Sequence, residues 1–328
     1  MTQDILRIGI LGAAKIAPSA MIAPAHKRAD VSVTHVAARD PERERRYAEE
    51  HGLSAAGGYE ALISRDDLDL IYVALPPSAH CEWTIRSLEA GKAVLCEKPF
   101  AMDGAQARTM VAASETAGRP LIEAFHYRFH PTFRRAEAMV RDGSIGTILA
   151  AHANFCTTIP RVEGEFRWDH NLGGGAVMDL GCYPIHALRT LLGIEPLVVA
   201  ASASHESGVE ISASATLSFD QSIDAQIRCS MAARERALDF VIIGDCGSVQ
   251  MSNFIVPQFG SSFIAETPSG VVTTEADPLA TYEAQLEHVV DVLRHGARQL
   301  TGGPDAIANM DVIEAIRAAG GAAAAPPP

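Results

Sequence analysis

The stretch Gly9-Ile10-Leu11-Gly12-Ala13-Ala14-Lys15-Ile16-Ala17 is an apolar run that ends in a string of small residues. Counted from Gly12 it reads G-x-A-x-x-A, a relaxed form of the dinucleotide fingerprint G-x-G-x-x-G. Small residues at 12 and 14 let a pyrophosphate approach the backbone N–H groups of the turn and the N-terminus of the following helix. Lys15 and Ile16 belong to the same turn. A second apolar run ends about 26 residues on, at the distance where such folds read the ribose. It closes as Ala37-Ala38-Arg39-Asp40. An acid there would bind the ribose hydroxyls of NAD, whereas a guanidinium suits a 2′-phosphate. Arg39 therefore favours NADP, with NAD still possible. Its plainer reading is a solvated loop arginine beside Asp40 as an N-cap.

A turn of this kind works only at the end of a strand. The first 125 residues supply that frame by alternating strand and helix signals. Strand signals cover 8–11, 31–38, 70–75, 93–96 and 121–125. Helix signals run to about Arg28 and cover 41–51, 80–90 and 104–117, the second opened by Pro41 and the last two closed by Gly91 and Gly118. Such alternation implies βαβ units and a parallel sheet. After about residue 145 the pattern changes. Apolar residues fall at 211, 213, 215, 217 and 219, with Ser212, Ser214, Thr216 and Ser218 between them. The alternation repeats from Ile223 to Cys229 around Asp224, Gln226 and Arg228. Period 2 with one polar face describes antiparallel strands half exposed to water. Asp220-Gln221-Ser222 has hairpin length. Two helices close the chain, the first with Tyr282, Leu286, Val289 and Leu293 on one face.

Composition narrows the function classes. With 328 residues the prior is two domains. Lys plus Arg is 27 against 40 Asp plus Glu, a net charge of −13, which repels a phosphate backbone and argues against nucleic acid. No apolar run reaches the roughly 18 residues of a membrane span, and Met1-Thr2-Gln3-Asp4 does not open a signal peptide. A cytoplasmic protein is expected. The six cysteines, Cys81, Cys96, Cys156, Cys182, Cys229 and Cys246, form no C-x-x-C pair and read as buried thiols. Lone histidines such as His126, His130 and His186 are more often structural, and no spacing suggests zinc, so no metal is expected.

Five segments carry a family likeness: Gly9–Ala17, Leu75–His80, Glu97-Lys98-Pro99, Glu123–Pro131 (EAFHYRFHP) and Gly173–Pro184 (GGGAVMDLGCYP). Taken in order over residues 9–184 they resemble the Gfo/Idh/MocA oxidoreductases. The likeness is to the branch of glucose-fructose oxidoreductase, NADP-dependent D-xylose dehydrogenase and dimeric dihydrodiol dehydrogenase. The last third of the chain matches only in pattern. The resemblance implies that Lys98 is the catalytic lysine, Asp179 the substrate-site aspartate and Tyr183 the acid/base group, where many relatives carry histidine. Cofactor contacts are expected from Gly12, Ala14, Lys15, Ile16, Arg39, Leu75, Pro76, His80, Glu97, Lys98 and Arg128. Substrate contacts are expected from Arg161, Arg167, Trp168 and His186.

Elementary chemistry fits these roles. Lys98 follows a strand at its carboxyl end, where ligands of open α/β sheets bind. Asp179 and Tyr183 are four apart, so a helical turn puts them on one face, with Pro184 either kinking or starting that helix. A free tyrosine, with a pKa near 10, is a poor base at neutral pH; a neighbouring ammonium such as Lys98 would lower that value. The glycine run 173–175 suggests a turn close to the substrate. Plainer readings stay open: a surface lysine before a proline turn, a helix-capping Asp179, a core aromatic Tyr183. Ala38 and Pro77 stand where the branch often has serine and asparagine, which removes a hydroxyl donor to a 2′-phosphate and an amide near the nicotinamide.

The expectation is thus an N-terminal Rossmann domain over 1–125 and a substrate-binding and oligomerising α+β domain over 126–319 with a large, open, mainly antiparallel sheet. A disordered tail is expected over 320–328. The activity expected is hydride transfer between NADP and a carbinol carbon of a sugar, polyol or cyclic diol, by a homodimer or homotetramer. The alternatives are an NAD-linked inositol or sugar dehydrogenase and a non-catalytic dinucleotide or sugar sensor on the same fold.

Overall fold

The computed structural model describes residues 5–220 and 222–322. The chain divides into two compact units, the first formed by residues 5–125 with Tyr282–Ile307 and the second by His126–Thr281 with residues 308–322.

The first unit holds a six-stranded sheet of β1 (Leu6–Leu11), β2 (Val31–Ala37), β3 (Ser54–Ala55), β4 (Leu70–Val73), β5 (Ala93–Cys96) and β6 (Leu121–Glu123). All its pairs are parallel and the order is β3-β2-β1-β4-β5-β6. This is the Rossmann order, with the chain reversing direction across the sheet at β1 and β4. Between the strands lie a π-helical turn at Pro18–Ile22 and α1 (Ala23–His26), α2 (Pro41–His51), α3 (Tyr59–Ile63), α4 (His80–Glu89) and α5 (Gly104–Ala117). Asp40 caps α2, accepting from the N–H groups of Glu42 and Arg43. Leu70, Ile71, Tyr72 and Val73 are all closed off from solvent, as a strand covered on both faces requires.

The second unit holds α6 (Pro131–Arg141), α7 (Cys182–Leu192) and an eight-stranded sheet. Its strands are β7 (Ile148–Thr158), β8 (Leu197–Glu206), β9 (Val209–Phe219), β10 (Ile223–Ser230), β11 (Ala232–Gly244), β12 (Gly247–Ser252), β13 (Ser262–Thr267) and β14 (Gly270–Glu275). The order is β14-β13-β12-β11-β7-β10-β9-β8. The alternation seen in the sequence is the β9–β10 hairpin, antiparallel from Ile223 opposite Phe219 onward. Gln221 in its turn lies outside the described residues. The sheet is not purely antiparallel, because β10 runs parallel to β7. Helices α6 and α7 pack on one face, where Ala215, Leu217, Ala225 and Ile227 are buried. Ser214, Asp224, Gln226 and Arg228 are exposed on the other.

Two expectations about the end of the chain are corrected. Helix α8 (Thr281–His295) was expected in the second domain with everything over 126–319, but from Tyr282 on it belongs to the first unit. Its Leu286, Val289 and Val290 join one core with Ile8, Ile10, Ala17, Ala20 and Tyr72. The segment after it continues along β6: Gln299 donates to the Leu121 carbonyl and Thr301 to that of Glu123. An otherwise open sheet edge is thereby occupied. The tail expected over 320–328 begins too early, since α9 (Pro304–Ala322) includes Gly320 and Gly321; residues 323–328 lie outside the described residues. Among the cysteines, Cys96, Cys156, Cys182 and Cys229 are buried as expected, but Cys246 is exposed beside the β11–β12 turn.

Truncating a buried leucine removes its transfer energy and leaves a cavity, at a cost of about 2–5 kcal/mol. Leu286→Ala should therefore lower the unfolding free energy of the first unit by an amount in that range, seen as a lower urea midpoint without loss of helix before the transition. An unchanged midpoint would mean that α8 is only loosely docked.

Candidate active site

The first grouping lies at the carboxyl ends of β1 and β2. Gly12 takes φ +107°, and a Cβ there would run into the Ala74 carbonyl, so the turn needs glycine. The backbone N–H groups of Lys15 and Ile16 donate to no other described residue, and both residues are exposed. They lie just ahead of the helical turn at Pro18, the arrangement that accepts a phosphate. Arg39 is exposed and makes no ion pair among the described residues. Free donors at the turn and a free guanidinium at the ribose position fit a phosphorylated dinucleotide.

Three residues of α2 that the sequence did not single out complete this corner. Arg43 Nη2 donates to the Ala13 carbonyl at 2.8 Å, and the Tyr47 hydroxyl to that of Ala14 at 2.9 Å. Glu44 is buried and accepts from the N–H groups of Ala38 at 2.8 Å and Gly57 at 2.6 Å. Together they fix the first turn and the Ala38–Arg39 segment as one piece. The only sequence signal is for Arg43 and Tyr47, whose spacing of four puts them on one helical face; Glu44 carries none.

A second grouping follows β4 and β5. Leu75 and Pro76 are half-buried, as are Glu97 and Lys98. The Tyr72 hydroxyl donates to Glu97 Oε1 at 2.5 Å. His80 was expected to line the nicotinamide, but it is 0% exposed. Its ring nitrogens lie 2.8 Å from the Leu75 carbonyl and 3.0 Å from that of Pro99. It ties the two loops together and leaves no surface of its own for a cofactor. Burial lowers its pKa, while the carbonyls of Leu75 and Pro99 pull the other way.

The third grouping lies within the second unit. Asp179 stands in a π-helical turn, Val177–Gly181, that runs directly into α7, and Tyr183 follows one turn later. Pro184 falls directly after the π-turn inside one continuous helical run, so it neither breaks nor starts the helix. Asp179 is 3% exposed and Tyr183 5%. A carboxylate so buried requires a partner. Arg167 supplies it, its Nε donating to Asp179 Oδ2 at 2.6 Å and its Nη1 to Glu165 Oε1 at 2.9 Å. Burial works against the Arg167 charge, but the two carboxylates outweigh it and raise its pKa.

The glycine run has a packing role in the structure. A Cβ on Gly174 would lie 2.5 Å from the Arg167 carbonyl oxygen, and one on Gly175 would lie 2.5 Å from Glu210 Oε1. The run lets the chain pack against the Arg167 turn and so aims that guanidinium at Asp179.

Other expected residues are engaged elsewhere. Arg128, expected at the cofactor, is buried in a two-pronged ion pair with Glu137 at 2.7 and 2.8 Å. His186, expected at the substrate, is fully buried with Nδ1 2.5 Å from the Tyr127 hydroxyl. Arg161 is exposed, paired with Glu206 at 2.6 Å and lying over the Trp168 ring at 5.4 Å. The Trp168 indole N–H is buried without a hydrogen-bond partner among the described residues. Among the described residues no group of three or more His, Cys, Asp or Glu is placed to hold a metal ion.

Comparison with known proteins matches most of the chain to one family. Residues 6–125 match the model of an oxidoreductase family with an NAD-binding Rossmann fold, and residues 133–250 match the GFO/IDH/MocA C-terminal domain. A D-xylose 1-dehydrogenase (NADP(+)) of Haloferax volcanii is 32% identical over 314 residues, 95% of this chain and 96% of that protein. The aldose-aldose oxidoreductase of Caulobacter crescentus, solved with glycerol, superposes with a TM-score of 0.89 at 28% identity over 97% of this chain and 98% of its own. A 3-ketoreductase of Actinomadura kijaniata, solved with NADP and TDP-benzene, gives 0.88 at 29% identity over 96% and 98%. That ketoreductase has also been solved with a tyrosine changed to phenylalanine and with a lysine changed to alanine or glutamate.

Burial lowers the pKa of His35, His80 and His130. In the unfolded chain such groups titrate near 6.5, so below that pH the unfolded state binds more protons than the folded one. Stability is then full above about pH 6.5 and falls as the pH drops through it. The thermal midpoint should decline on acidification from about pH 7.5 to about pH 5.5, and His80→Gln should flatten that decline. An equally steep decline in the variant would show that His80 takes no part.

Proposed function

The chain belongs to the Gfo/Idh/MocA oxidoreductase family, and we propose that it is an NADP-dependent dehydrogenase or reductase of a sugar, polyol or cyclic diol. The observation that carries this reading is the pair Asp179 and Tyr183, four residues apart on one helical run and both almost closed to solvent. Burying a carboxylate and a phenol side by side is costly. An acid/base step at a hydroxyl group uses both, whereas a sensor needs neither, which argues against the non-catalytic alternative. The relatives named for D-xylose and aldoses support a substrate carrying adjacent hydroxyl groups.

Bound NADP would supply the hydride acceptor or donor at C4 of its nicotinamide. The Lys15–Ile16 turn is proposed to hold the pyrophosphate, and Arg39 the 2′-phosphate. Tyr183 is proposed to move the hydroxyl proton of the substrate. Lys98 is proposed to supply positive charge in the same reaction and so favour the phenolate. Asp179, held by Arg167, is proposed to accept from a substrate hydroxyl. The lysine and tyrosine variants of the ketoreductase support giving weight to these two residue types.

The exposed face of β9 and β10 is proposed as the contact between copies. It is polar, and it forms a trough of about 710 Å³ together with Cys156, Ser202 and the curled start of β11. Light scattering should return twice or four times the chain mass. A particle of one chain mass at micromolar concentration overturns this part of the reading.

The first test is a screen of D-xylose, other aldoses, inositols and cyclic trans-diols with NADP+ and NAD+, followed by reduced-nicotinamide absorbance. NADP+ should be preferred. Arg39→Ala should weaken NADP+ binding by about 10–150-fold, the worth of a charge-assisted hydrogen bond, and leave NAD+ nearly unchanged. Equal loss for both cofactors would show that Arg39 does not read the phosphate. Tyr183→Phe should lower kcat by roughly 10²–10⁴-fold with cofactor affinity unmoved. Lys98→Met should fall at least as far, and the double variant should be little worse than the worse single one. Near-normal turnover of Tyr183→Phe would return that residue to a packing role.

A further inference from the structure

Two tyrosine–histidine pairs cross between the turn His126–Phe129 and α7. In one, the Tyr127 hydroxyl lies 2.5 Å from His186 Nδ1. In the other, the Tyr183 hydroxyl lies 3.4 Å from His126 Nε2, with the rings edge-on at 71°. The first pair is closed off completely and packed by Phe133 and Phe254 against the Tyr127 ring. It is a strut between the turn and the helix. The second pair differs in two ways. Tyr183 keeps a small exposed edge, and His126 continues through Nδ1 to Thr281 Oγ1 at 2.7 Å.

We propose that His126 is the proton acceptor that serves Tyr183, a proposal that rests on the reading of Tyr183 as the acid/base group. The Tyr183 O–H bond breaks as an N–H bond forms at His126 Nε2. A phenolate then stands beside an imidazolium whose Nδ1–H donates to Thr281 Oγ1. The phenolate next takes the hydroxyl proton of the substrate while the carbinol C–H electron pair leaves as hydride for the nicotinamide. The protein ends with one proton more than it began, matching the one proton that oxidation of an alcohol by a nicotinamide releases. In the reductive direction the same proton returns from His126 through Tyr183.

The neighbouring histidines are not free for this task. His130 Nε2 donates to the carbonyls of Leu279 at 3.0 Å and Asp277 at 3.2 Å, while its Nδ1 accepts from the Thr132 N–H. Both its nitrogens are committed to backbone. His186 is held by Tyr127. The groups that face the His126–Tyr183 pair include Tyr127 on the same turn, His186 on α7, the Phe155 ring of β7 at 5.5 Å from Tyr183, and the Thr281 hydroxyl. A histidine beside a phenol in a site this dry is suited to exchange one proton with it, because each charged form favours the other.

The test uses the full chain in two arms. In the first, carbon-13 labelled histidine is followed by NMR against pH without substrate, and His126 is assigned by its loss in His126→Gln. Its midpoint should move by about half a pH unit or more in Tyr183→Phe, as expected for directly interacting groups. A midpoint that does not move overturns the proposal, whatever the substrate. In the second arm, kcat for D-xylose oxidation with NADP+ is measured against pH. Glutamine keeps a hydrogen bond to Tyr183, so a packing role would leave the profile in place. His126→Gln should instead shift the basic-side requirement toward the free phenol value near 10, with KM within about twofold of the parent. An unmoved profile with Tyr183→Phe inactive overturns the proposal and leaves the reading of Tyr183 standing. Full turnover of Tyr183→Phe overturns both.

Discussion

Asp179 carries a carboxylate where water hardly reaches, and the 2.6 Å ion pair with Arg167 offsets the cost of keeping it there. Arg167 itself stays about a third exposed, so removing it takes a charged hydrogen-bond partner from a carboxylate that water hardly reaches, the costly direction for such a pair. Much of the second unit follows from holding that pair. The turn Phe166–Trp168 must lie against Gly174 and Gly175, where no side chain fits. The helix that starts there must continue unbroken from a π-turn into α7, so that Tyr183 falls on the same face as Asp179. The sheet must then offer a buried apolar side for α7 to rest on.

A similar economy governs the first unit. A parallel sheet buried on both faces sends its chemistry to the carboxyl ends of its strands. There the first turn is braced from outside by Arg43 and Tyr47, and the Ala38–Arg39 corner by Glu44. Bracing from α2 leaves the N–H groups of Lys15 and Ile16 and the Arg39 guanidinium unspent. Among the described residues Arg39 makes no ion pair, which is compatible with the 2′-phosphate role proposed for it. No helix among the described residues is long and apolar enough to cross a membrane.

The parallel sheet and the β9–β10 hairpin were legible in the sequence because their periods are local: buried runs between helices in one, strict alternation at 211–219 and 223–229 in the other; the remaining six strands of the second sheet were not read. The place of α8 was not, although its apolar face was. Tyr282, Leu286, Val289 and Leu293 tell that a face is buried, but not against which core. The parallel pairing of β7 with β10 joins strands about 70 residues apart and leaves no local mark. Within the candidate site, the placement of Asp179 and Tyr183 on one helical run was readable from their spacing. The Arg167–Asp179 pair, the committed ring of His80 and the Arg128–Glu137 pair were not, since each depends on which charges meet when the chain closes. His126 looked like one lone histidine among several, and only its position against Tyr183 and Thr281 sets it apart.

The central claim is that this chain moves a hydride between a hydroxyl-bearing carbon and NADP while Tyr183 handles the proton. It is tested most directly by following the hydride itself. D-Xylose, D-glucose, myo-inositol and a cyclic trans-diol, each deuterated at every hydroxyl-bearing carbon including the anomeric one, are incubated with the protein and NADP+, and the reduced cofactor is examined by NMR. The account predicts deuterium at C4 of the nicotinamide, on one face only, for at least one of these substrates, and none with Tyr183→Phe over the same time. Reduced cofactor that carries no deuterium, or none formed from any of the four, would contradict it.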